Sequence, residues 1–476
     1  MSVESQMNPM RHSKAVFICS PSLGILDMWL PVLRAVKSDF PDLEISIVFP
    51  ALKTVSKLEP SDVIFDLSSA LFTEVIFNTE SSGWVRVDDL TEAKRYSSKL
   101  NFVDRALKFL TGGDLNQPRL AASRLSRPYK ILGSLRRYLP PFVSRAIAQS
   151  IGATVSVSLR SRRVEILSFL NPDSMMFFDI HQSQNPAVSL LLAEANDVRK
   201  FSLDHAVGAR ETIPSCFSLV NSEHVSNTSV FMSSEKERAY YSALFPSLED
   251  KDLIAVGVPK HAPEWISLLE ATDSVPIPFK SPYIFLISRP GGSPDLPEDR
   301  RIGAIEAIKL VAQKFGLKIV VRLHPKEGLT GTYEKILGRS SRGHDWDYSS
   351  AHPYRIGRGA AFAVTFHSSV CIDMIQLGVP VIETLSLAGL EKFDNETSQR
   401  DTSGNPVYDF RRLGMVLGAE NRNALMKTAE MCLANPLEVA QSQAAAYRGW
   451  FKESSASISE IAGIIGASIV SGRPGP

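Results

Sequence analysis

Apolar and polar positions near the start of the chain follow two different periods in turn. The run Ala15–Cys19 is continuously apolar, as in a buried strand, and a turn containing Gly24 follows it. Between residues 26 and 36 the apolar residues recur at helical spacing, and Ile45–Phe49 is again a short apolar run. Strand, helix and strand in this order predict a βαβ unit, whose two strands lie parallel in one sheet.

The same alternation continues through the first half of the chain. Short apolar runs recur there, with helical segments between most of them, and each run is interpreted as a further strand. These runs cover residues 63–67, 74–78, 175–180, 200–203 and 230–233.

A second alternating series begins near residue 281. The segment before it, 272–282, contains three prolines and is typical of a linker. Apolar periodicity in the new series predicts two helices, at 298–315 and 370–378. The strands predicted around these helices, each with its turn, cover 283–290, 317–325, 360–369 and 379–384.

Two βαβ series separated by a linker predict an α/β chain with two Rossmann-like parallel-sheet domains facing across a cleft. The first domain is expected at 14–272 and the second, a nucleotide-donor domain, at 281–434. A C-terminal helix at 435–470 is expected to pack back towards the first domain. In such folds ligands bind at the carboxyl ends of the parallel strands, so the candidate residues are sought there.

Charge changes this picture in one segment only. The whole chain has a net charge of +1, which does not indicate any partner. Residues 119–163, inside a predicted helical insertion at about 91–170, contain no Asp or Glu. This segment is either a solvated insertion or a basic surface for an anionic membrane or acceptor; it has no recognised nucleic-acid motif. Its candidate contact residues are Arg124, Arg127, Lys130, Arg136 and Arg137.

Several common chemistries lack support in the sequence. The four cysteines are far apart, without metal-ligand spacing, and are expected to be reduced thiols. The motif at 345–347 is DWD, but it does not follow an apolar strand, which disfavours a metal-dependent sugar transferase. No signal peptide or membrane-spanning run is evident. We therefore expect a cytoplasmic protein, peripheral at the inner membrane face if the basic segment binds lipid, with no metal or cofactor.

Polar residues gather at three predicted strand ends of the second domain. Arginine and lysine supply positive charge there, histidine and serine supply hydrogen-bond donors, and such groups bind phosphate oxygens. The serine pair also precedes a predicted helix, where free backbone N–H groups favour anions. The candidate donor-binding residues are Arg289, Arg322, His324, Lys326, His367, Ser368 and Ser369.

The first domain offers a candidate general base. His205 follows a predicted strand and is preceded by Asp204, an acid that could set the tautomer of the imidazole ring. His181 and Asp179, after the preceding predicted strand, are rival candidates. The sequence alone does not choose between these positions.

Four stretches in the second half resemble a known group of enzymes. They are the GVPK motif at 257–260, the sequence ISRP at 287–290, VVRLHPKEG at 320–328 and FHSS at 366–369. Over roughly residues 200–385 the chain resembles GT-B-fold bacterial surface-polymer transferases. The similar families are the CDP-glycerol glycerophosphotransferases of teichoic acid synthesis and the capsule transferases that use CMP-activated acidic sugars, including polysialyltransferases.

This resemblance implies a function and roles for some residues. His324 and the pair Ser368 and Ser369 would contact the phosphates of a CMP- or CDP-linked donor, and His205 would act on the acceptor. The implied partners are a nucleotide-sugar donor and a glycan or lipid-linked acceptor. Two alternatives stay open: a nucleotide-sugar isomerase of the UDP-GlcNAc 2-epimerase type, and a non-catalytic binding protein with the same fold.

Overall fold

The computed structural model describes most of both predicted domains. The described residues are 14–19, 24–55, 58, 62–79, 83–98, 164–166, 174–183, 185–210, 225–325, 327, 331–393, 399–401 and 404–471. Lys326 and the candidate basic residues of the insertion, Arg124, Arg127, Lys130, Arg136 and Arg137, lie outside them.

The first sheet contains, within the described residues, eight strands in the order β4-β3-β2-β1-β5-β6-β7-β8. All neighbours are parallel except β3 and β4, which are antiparallel. Strands β5, β6 and β7 are buried along their whole length, because apolar clusters cover both faces of the sheet. The strands are β1 (Lys14–Ile18), β2 (Glu44–Phe49), β3 (Glu74–Thr79), β4 (Gly83–Val87), β5 (Ser174–Phe178), β6 (Arg199–Leu203), β7 (Thr228–Met232) and β8 (Leu253–Ala255).

The second sheet contains six described strands in the order β11-β10-β9-β12-β13-β14, and all of them are parallel. Its central strand β9 lies between β10 and β12, so the ends of these three strands are neighbours. The strands are β9 (Tyr283–Ile287), β10 (Lys318–Arg322), β11 (Trp346–Tyr348), β12 (Ala360–Thr365), β13 (Val381–Glu383) and β14 (Leu417–Gly418).

Helices connect these strands and cover the sheets. In the first half they are α1 (Gly24–Asp39), α2 (Leu52–Val55), α3 (Val63–Leu71), α4 (Pro186–Glu194), α5 (Arg238–Leu244) and α6 (Pro263–Thr272). In the second half they are α7 (Glu298–Phe315), α8 (Pro353–Gly357), α9 (Val370–Gln376), α10 (Asp409–Arg412), α11 (Arg422–Ala434), α12 (Pro436–Trp450) and α13 (Ser457–Ser471).

One local feature differs from the sequence interpretation. Residues 63–67, predicted as a strand, lie in α3, where the Asp62 carboxylate caps the helix by accepting from Ile64 N at 3.0 Å. A short apolar run has no clear period, so it does not distinguish a buried helix from a strand. The DWD motif does not follow a strand, as the sequence indicates; its last two residues begin β11, and Asp347 there pairs with Arg342 at 2.8 Å.

The end of the chain returns to the first domain. Helix α13 packs against α1, and its Ile461, Ile465 and Ile469 are fully buried in the same apolar cluster as Trp29 of α1. The Trp29 indole also donates to the carbonyl of Phe178 at the end of β5, at 3.2 Å. Among the described residues, no helix combines the length and the apolar character needed to cross a membrane.

Candidate active site

A connected group of polar side chains lies where β5 and β6 end. Asp179 follows β5, and Asp204 and His205 follow β6, so the parallel strands bring them to one edge of the sheet. His205 Nδ1 lies 2.5 Å from Asp179 Oδ2 and 3.5 Å from Asp204 Oδ1. The carboxylate that orients the His205 ring is therefore Asp179, and Asp204, the neighbour in sequence, is the more distant one.

This arrangement gives His205 the properties of a general base. Burial alone would lower its pKa, but the hydrogen bond and the charge of Asp179, with the charge of Asp204, outweigh burial and raise the pKa above its usual value. Because Nδ1–H donates to Asp179, the lone pair of the neutral ring is on Nε2. The His205 side chain is 24% exposed, so a substrate hydroxyl can reach it, whereas Asp179 is fully buried.

Asp204 is held by other residues. Its carboxylate pairs with the Arg210 guanidinium, and His181 Nε2 lies 3.3 Å from its Oδ2. Burial alone would raise the pKa of Asp204, but the charges of Arg210 and His181 outweigh it and hold the pKa well below its usual range. Asp204 Oδ1 also accepts from Ala206 N at 3.1 Å, which fixes the turn that carries His205.

The ligand atoms of Asp179, Asp204 and His205 lie within 4.8 Å of one another, close enough to hold a cation. However, Asp179 already accepts from His205, and Asp204 already pairs with Arg210. A cation at this place would have to displace those bonds. The arrangement therefore favours proton transfer over metal ligation.

Sequence reasoning did not single out Arg210 or Glu237. Glu237 follows β7, and its Oε2 accepts from Ser233 N at 3.1 Å and Ser233 Oγ at 2.6 Å. Burial raises the pKa of Glu237 to about 7, with the nearby Asp204 charge adding to the effect and Arg210 opposing it. Arg210 could have been noticed as the nearest cation after His205, but nothing in the sequence places Glu237 beside it.

The second domain brings three candidate residues to one edge of its sheet. Arg289, His324 and His367 follow β9, β10 and β12, which are adjacent strands. Arg289 Nη1 donates to the carbonyl of His367 at 2.5 Å, which ties two of these strand ends together. The three side chains are partly exposed.

Glu327 fixes the turn that contains His324, and the sequence interpretation did not assign it a role. Its side chain is 4% exposed, and it accepts from Arg301 Nη2 at 2.5 Å and from the Ser288 hydroxyl. It also accepts from His324 N at 3.4 Å, and its own N–H donates to the His324 carbonyl at 2.7 Å. The carboxylate therefore joins the ends of β9 and β10, and Arg301 balances its negative charge.

The Arg322 side chain contacts segments of the protein outside its own strand. Its Nη1 donates to the carbonyls of Ser350, at 2.8 Å, and Ala351. Its Nη2 lies 3.9 Å from the carboxylate of Asp62, which caps α3 in the first domain. These contacts make Arg322 a link between the domains, and its contact with a donor stays a prediction.

His367 has an unusual conformation for a histidine. Its φ of 67° is in the left-handed region, and its ring stacks on Tyr408 with the ring centroids 3.4 Å apart. Its Nδ1 lies 3.7 Å from Glu383, a buried carboxylate at the end of β13. Such strain persists only where the surroundings hold it, and it is concentrated at functional sites.

The serine pair lies between His367 and α9. Ser368 Oγ accepts from Val370 N at 3.4 Å, a long contact, and Ser369 immediately precedes the first residue of the helix without a side-chain capping bond. Both residues are partly exposed. Their contact with donor phosphates stays a prediction.

Comparison with known proteins gives matches in structure only. No protein-family model and no curated protein sequence matches the chain. The wall teichoic acid polymerase TagF aligns with a TM-score of 0.51 and 9% identity, over 96% of this chain and 88% of that one. The UDP-GlcNAc 2-epimerase from Neisseria meningitidis, bound to UDP-GlcNAc, aligns with a TM-score of 0.48 and 11% identity, over 96% and 99%.

The similarity to TagF agrees with the two parallel-stranded sheets described above. The fold is of the GT-B type. The predicted fold class is thereby confirmed, including the helical C-terminus. At this level of identity the similarity shows the fold alone, and in a GT-B fold the function is decided by the residues at the strand ends.

Proposed function

We propose that this GT-B protein is a transferase that uses a nucleotide-activated donor. The pair formed by Asp179 and His205 is the observation that carries the proposal. It supplies an oriented, partly exposed base at the carboxyl edge of the first sheet. The second sheet offers Arg289, His324 and His367 at its own carboxyl edge, the edge at which α/β sheets bind nucleotides.

The proposed reaction begins with an acceptor hydroxyl. His205 Nε2 takes the proton as the acceptor oxygen forms its bond to the transferred group, and the carboxylate of Asp179 stabilises the imidazolium. The bond between that group and the nucleotide phosphate breaks, and its electron pair leaves on the phosphate oxygen. The raised pKa of His205 suits a base that must hold the proton once it has been taken.

The developing charge on the departing phosphate needs fixed donors. Arg289 and His324 follow neighbouring strands, and Ser368 and Ser369 lie at the start of α9. Preorganised donors of this kind stabilise a leaving group without reorganising during the reaction. Within this proposal the mechanism requires no metal.

The proposal also specifies the class of donor and the class of acceptor. The HP and SS motifs, at His324-Pro325 and Ser368-Ser369, resemble those of enzymes with CMP- or CDP-linked donors. The proposed donor is therefore a cytidine nucleotide conjugate. The proposed acceptor is a surface or capsular glycan, free or linked to lipid.

The experiment that tests this proposal measures release of CMP from CDP-glycerol and from CMP-sialic acid, with bacterial surface-glycan fragments as acceptors. The wild type should release CMP, and His205→Gln should lower the rate by about 10²- to 10⁴-fold. The matched control is His344→Gln, at an exposed histidine of the second domain. Release that is unchanged in His205→Gln contradicts the proposal, and so does epimerisation of UDP-GlcNAc without any acceptor.

A further inference from the structure

A buried ionic cluster joins three separate parts of the chain at Asp373. This residue lies in α9, and its side chain is 2% exposed. Its Oδ1 is 2.7 Å from Lys260 Nζ and 2.8 Å from His261 Nε2. Lys260 and His261 belong to the connection that leaves β8, so residues next to the first sheet hold a helix of the second domain.

The third part is helix α12, the last helix but one among the described residues. The hydroxyl of Tyr447 lies 2.9 Å from His261 Nδ1. Burial lowers the pKa of His261, which favours the neutral ring. Its Nε2–H then donates to Asp373, and Nδ1 accepts from Tyr447, so each polar atom of the ring has a partner. The hydroxyl of Tyr354 in α8 completes the cluster by donating to the carbonyl of Lys260 at 2.7 Å.

The position of Asp373 connects this cluster to the donor side of the candidate site. Helix α9 begins directly after Ser369, and its single buried carboxylate contacts Lys260 and His261. Removing one partner of a buried ion pair leaves the other charge buried without compensation, so the groups of such a pair are held together in the folded protein. The cluster thus connects α9 to residues beside the first sheet.

We infer that Asp373 is a positioning residue, which ties the start of α9 at Ser368 and Ser369 to the interdomain connection at Lys260 and His261. Donor binding and the arrangement of the two domains are then coupled through this helix. The part of this inference that concerns the donor rests on the proposed function. The mechanical part, that the connection holds α9, does not.

The mechanical part is tested by hydrogen exchange in the full-length protein, followed over residues 366–377. Asp373→Asn removes the charge and keeps the shape, and Tyr447→Phe removes only a hydroxyl, in case the first variant does not fold. Both should exchange faster than wild type in this segment, while strand β10 exchanges at the wild-type rate. Unchanged exchange in α9 of Tyr447→Phe, or of a folded Asp373→Asn, overturns the inference.

A second ion pair between the two domains serves as a matched control. Arg358, next to β12, contacts Glu270 of α6 at 2.5 Å, but Arg358 is exposed, Glu270 is only partly buried, and the pair does not involve α9. Glu270→Gln should leave exchange in residues 366–377 unchanged. If it accelerates that exchange as much as the other variants do, loosening of the whole interface explains the effect and the inference is wrong.

The donor part is tested by titrating CDP into the same variants. The affinity of Asp373→Asn and of Tyr447→Phe should fall, by about tenfold for Asp373→Asn, and that of Glu270→Gln should equal the wild-type affinity. Equal affinities in all variants overturn the coupling to the donor. If the wild type itself binds no nucleotide, the proposed function fails, and the hydrogen-exchange result alone decides whether Asp373 positions α9.

Discussion

At the scale of single residues, the contact between His205 and Asp179 makes a prediction about pH. The base must be neutral to accept a proton, so the rate should rise with pH through the pKa of His205, which Asp179 raises above the usual value for a histidine. Asp179→Asn removes the charge that raises this pKa. The acidic limb of the pH–rate profile should therefore move to lower pH, and the maximal rate should fall by about 10²-fold.

The control for this prediction is Glu438→Gln, at an exposed carboxylate on α12. It should leave both the maximal rate and the acidic limb unchanged. If the limb of Asp179→Asn stays at the wild-type pH, His205 is not the base that limits the rate.

The residues of this site were only partly predictable. His205 and His324 follow apolar runs, so the sequence indicates that they lie at strand ends. The partner of His205 was not predictable, because Asp179 and Asp204 both follow strands. Only the pairing of β5 with β6 in the sheet decides which carboxylate lies nearer to the His205 ring. Glu327 is next to the HP motif in sequence, but its buried partners come from other strands and helices.

At the scale of elements, the turn after β10 depends on Glu327. Glu327→Gln keeps the shape of the side chain but removes the charge that Arg301 neutralises. The free energy of unfolding should fall by about 1–3 kcal/mol, and affinity for CDP should fall as the His324 turn loosens. Chemical denaturation and calorimetric titration measure the two effects.

A matched variant is Asp345→Asn, which breaks the exposed pair between Asp345 and Lys318 at the other end of β10. It should change the free energy of unfolding by well under 1 kcal/mol and leave CDP affinity unchanged. A loss of CDP affinity equal to that of Glu327→Gln would assign the effect to the strand in general.

Most elements could be predicted from periodicity, and the exceptions have a physical reason. Strands buried on both faces are largely apolar, so their length and their flanking turns identify them. The run 63–67 is also largely apolar, with Asp66 as its one charged residue, but it is followed by four more helical residues, up to Leu71. The helix cap that Asp62 provides and the packing of α3 against α1 decide the conformation of residues 63–67.

At the scale of the whole molecule, Asp27 of α1 contacts the second domain. Its Oδ2 lies 3.5 Å from His352 Nε2, and its Oδ1 accepts from the Trp265 indole at 3.1 Å. Burial alone would raise its pKa, but His352 and the charge of Lys260 outweigh burial and lower the pKa to about 2. Because the pKa is lower in the folded state than the ordinary 3.8, Asp27 stabilises the fold above about pH 4.

That stabilisation, about 2 kcal/mol, should be lost as the pH falls from about 4 towards 2. Asp27→Asn should be less stable at neutral pH, and its free energy of unfolding should change less between pH 5 and pH 2. Denaturant titrations at several pH values measure this difference. Asp42→Asn, at an exposed position, serves as the control. Equal pH dependence in Asp27→Asn and wild type contradicts the assignment.

The two-sheet architecture could be predicted from the sequence, because two series of alternating strands and helices permit few arrangements. The contacts that join the two domains could not be predicted from the sequence. They come from isolated side chains, such as Asp27, Arg322 and Asp373, whose partners are distant in sequence. No local period marks such residues, so the sequence does not show which of them meet.

The proposed function requires the carboxyl edge of the second sheet to bind the phosphates of a cytidine nucleotide. Calorimetric titration of CMP, CDP, UDP and GDP into wild type, His324→Ala and the exposed control His344→Ala tests it most directly. Cytidine nucleotides should bind most tightly, and His324→Ala alone should lose about tenfold or more in affinity. Binding of UDP alone, no binding of any nucleotide, or unchanged affinity in His324→Ala would contradict the account.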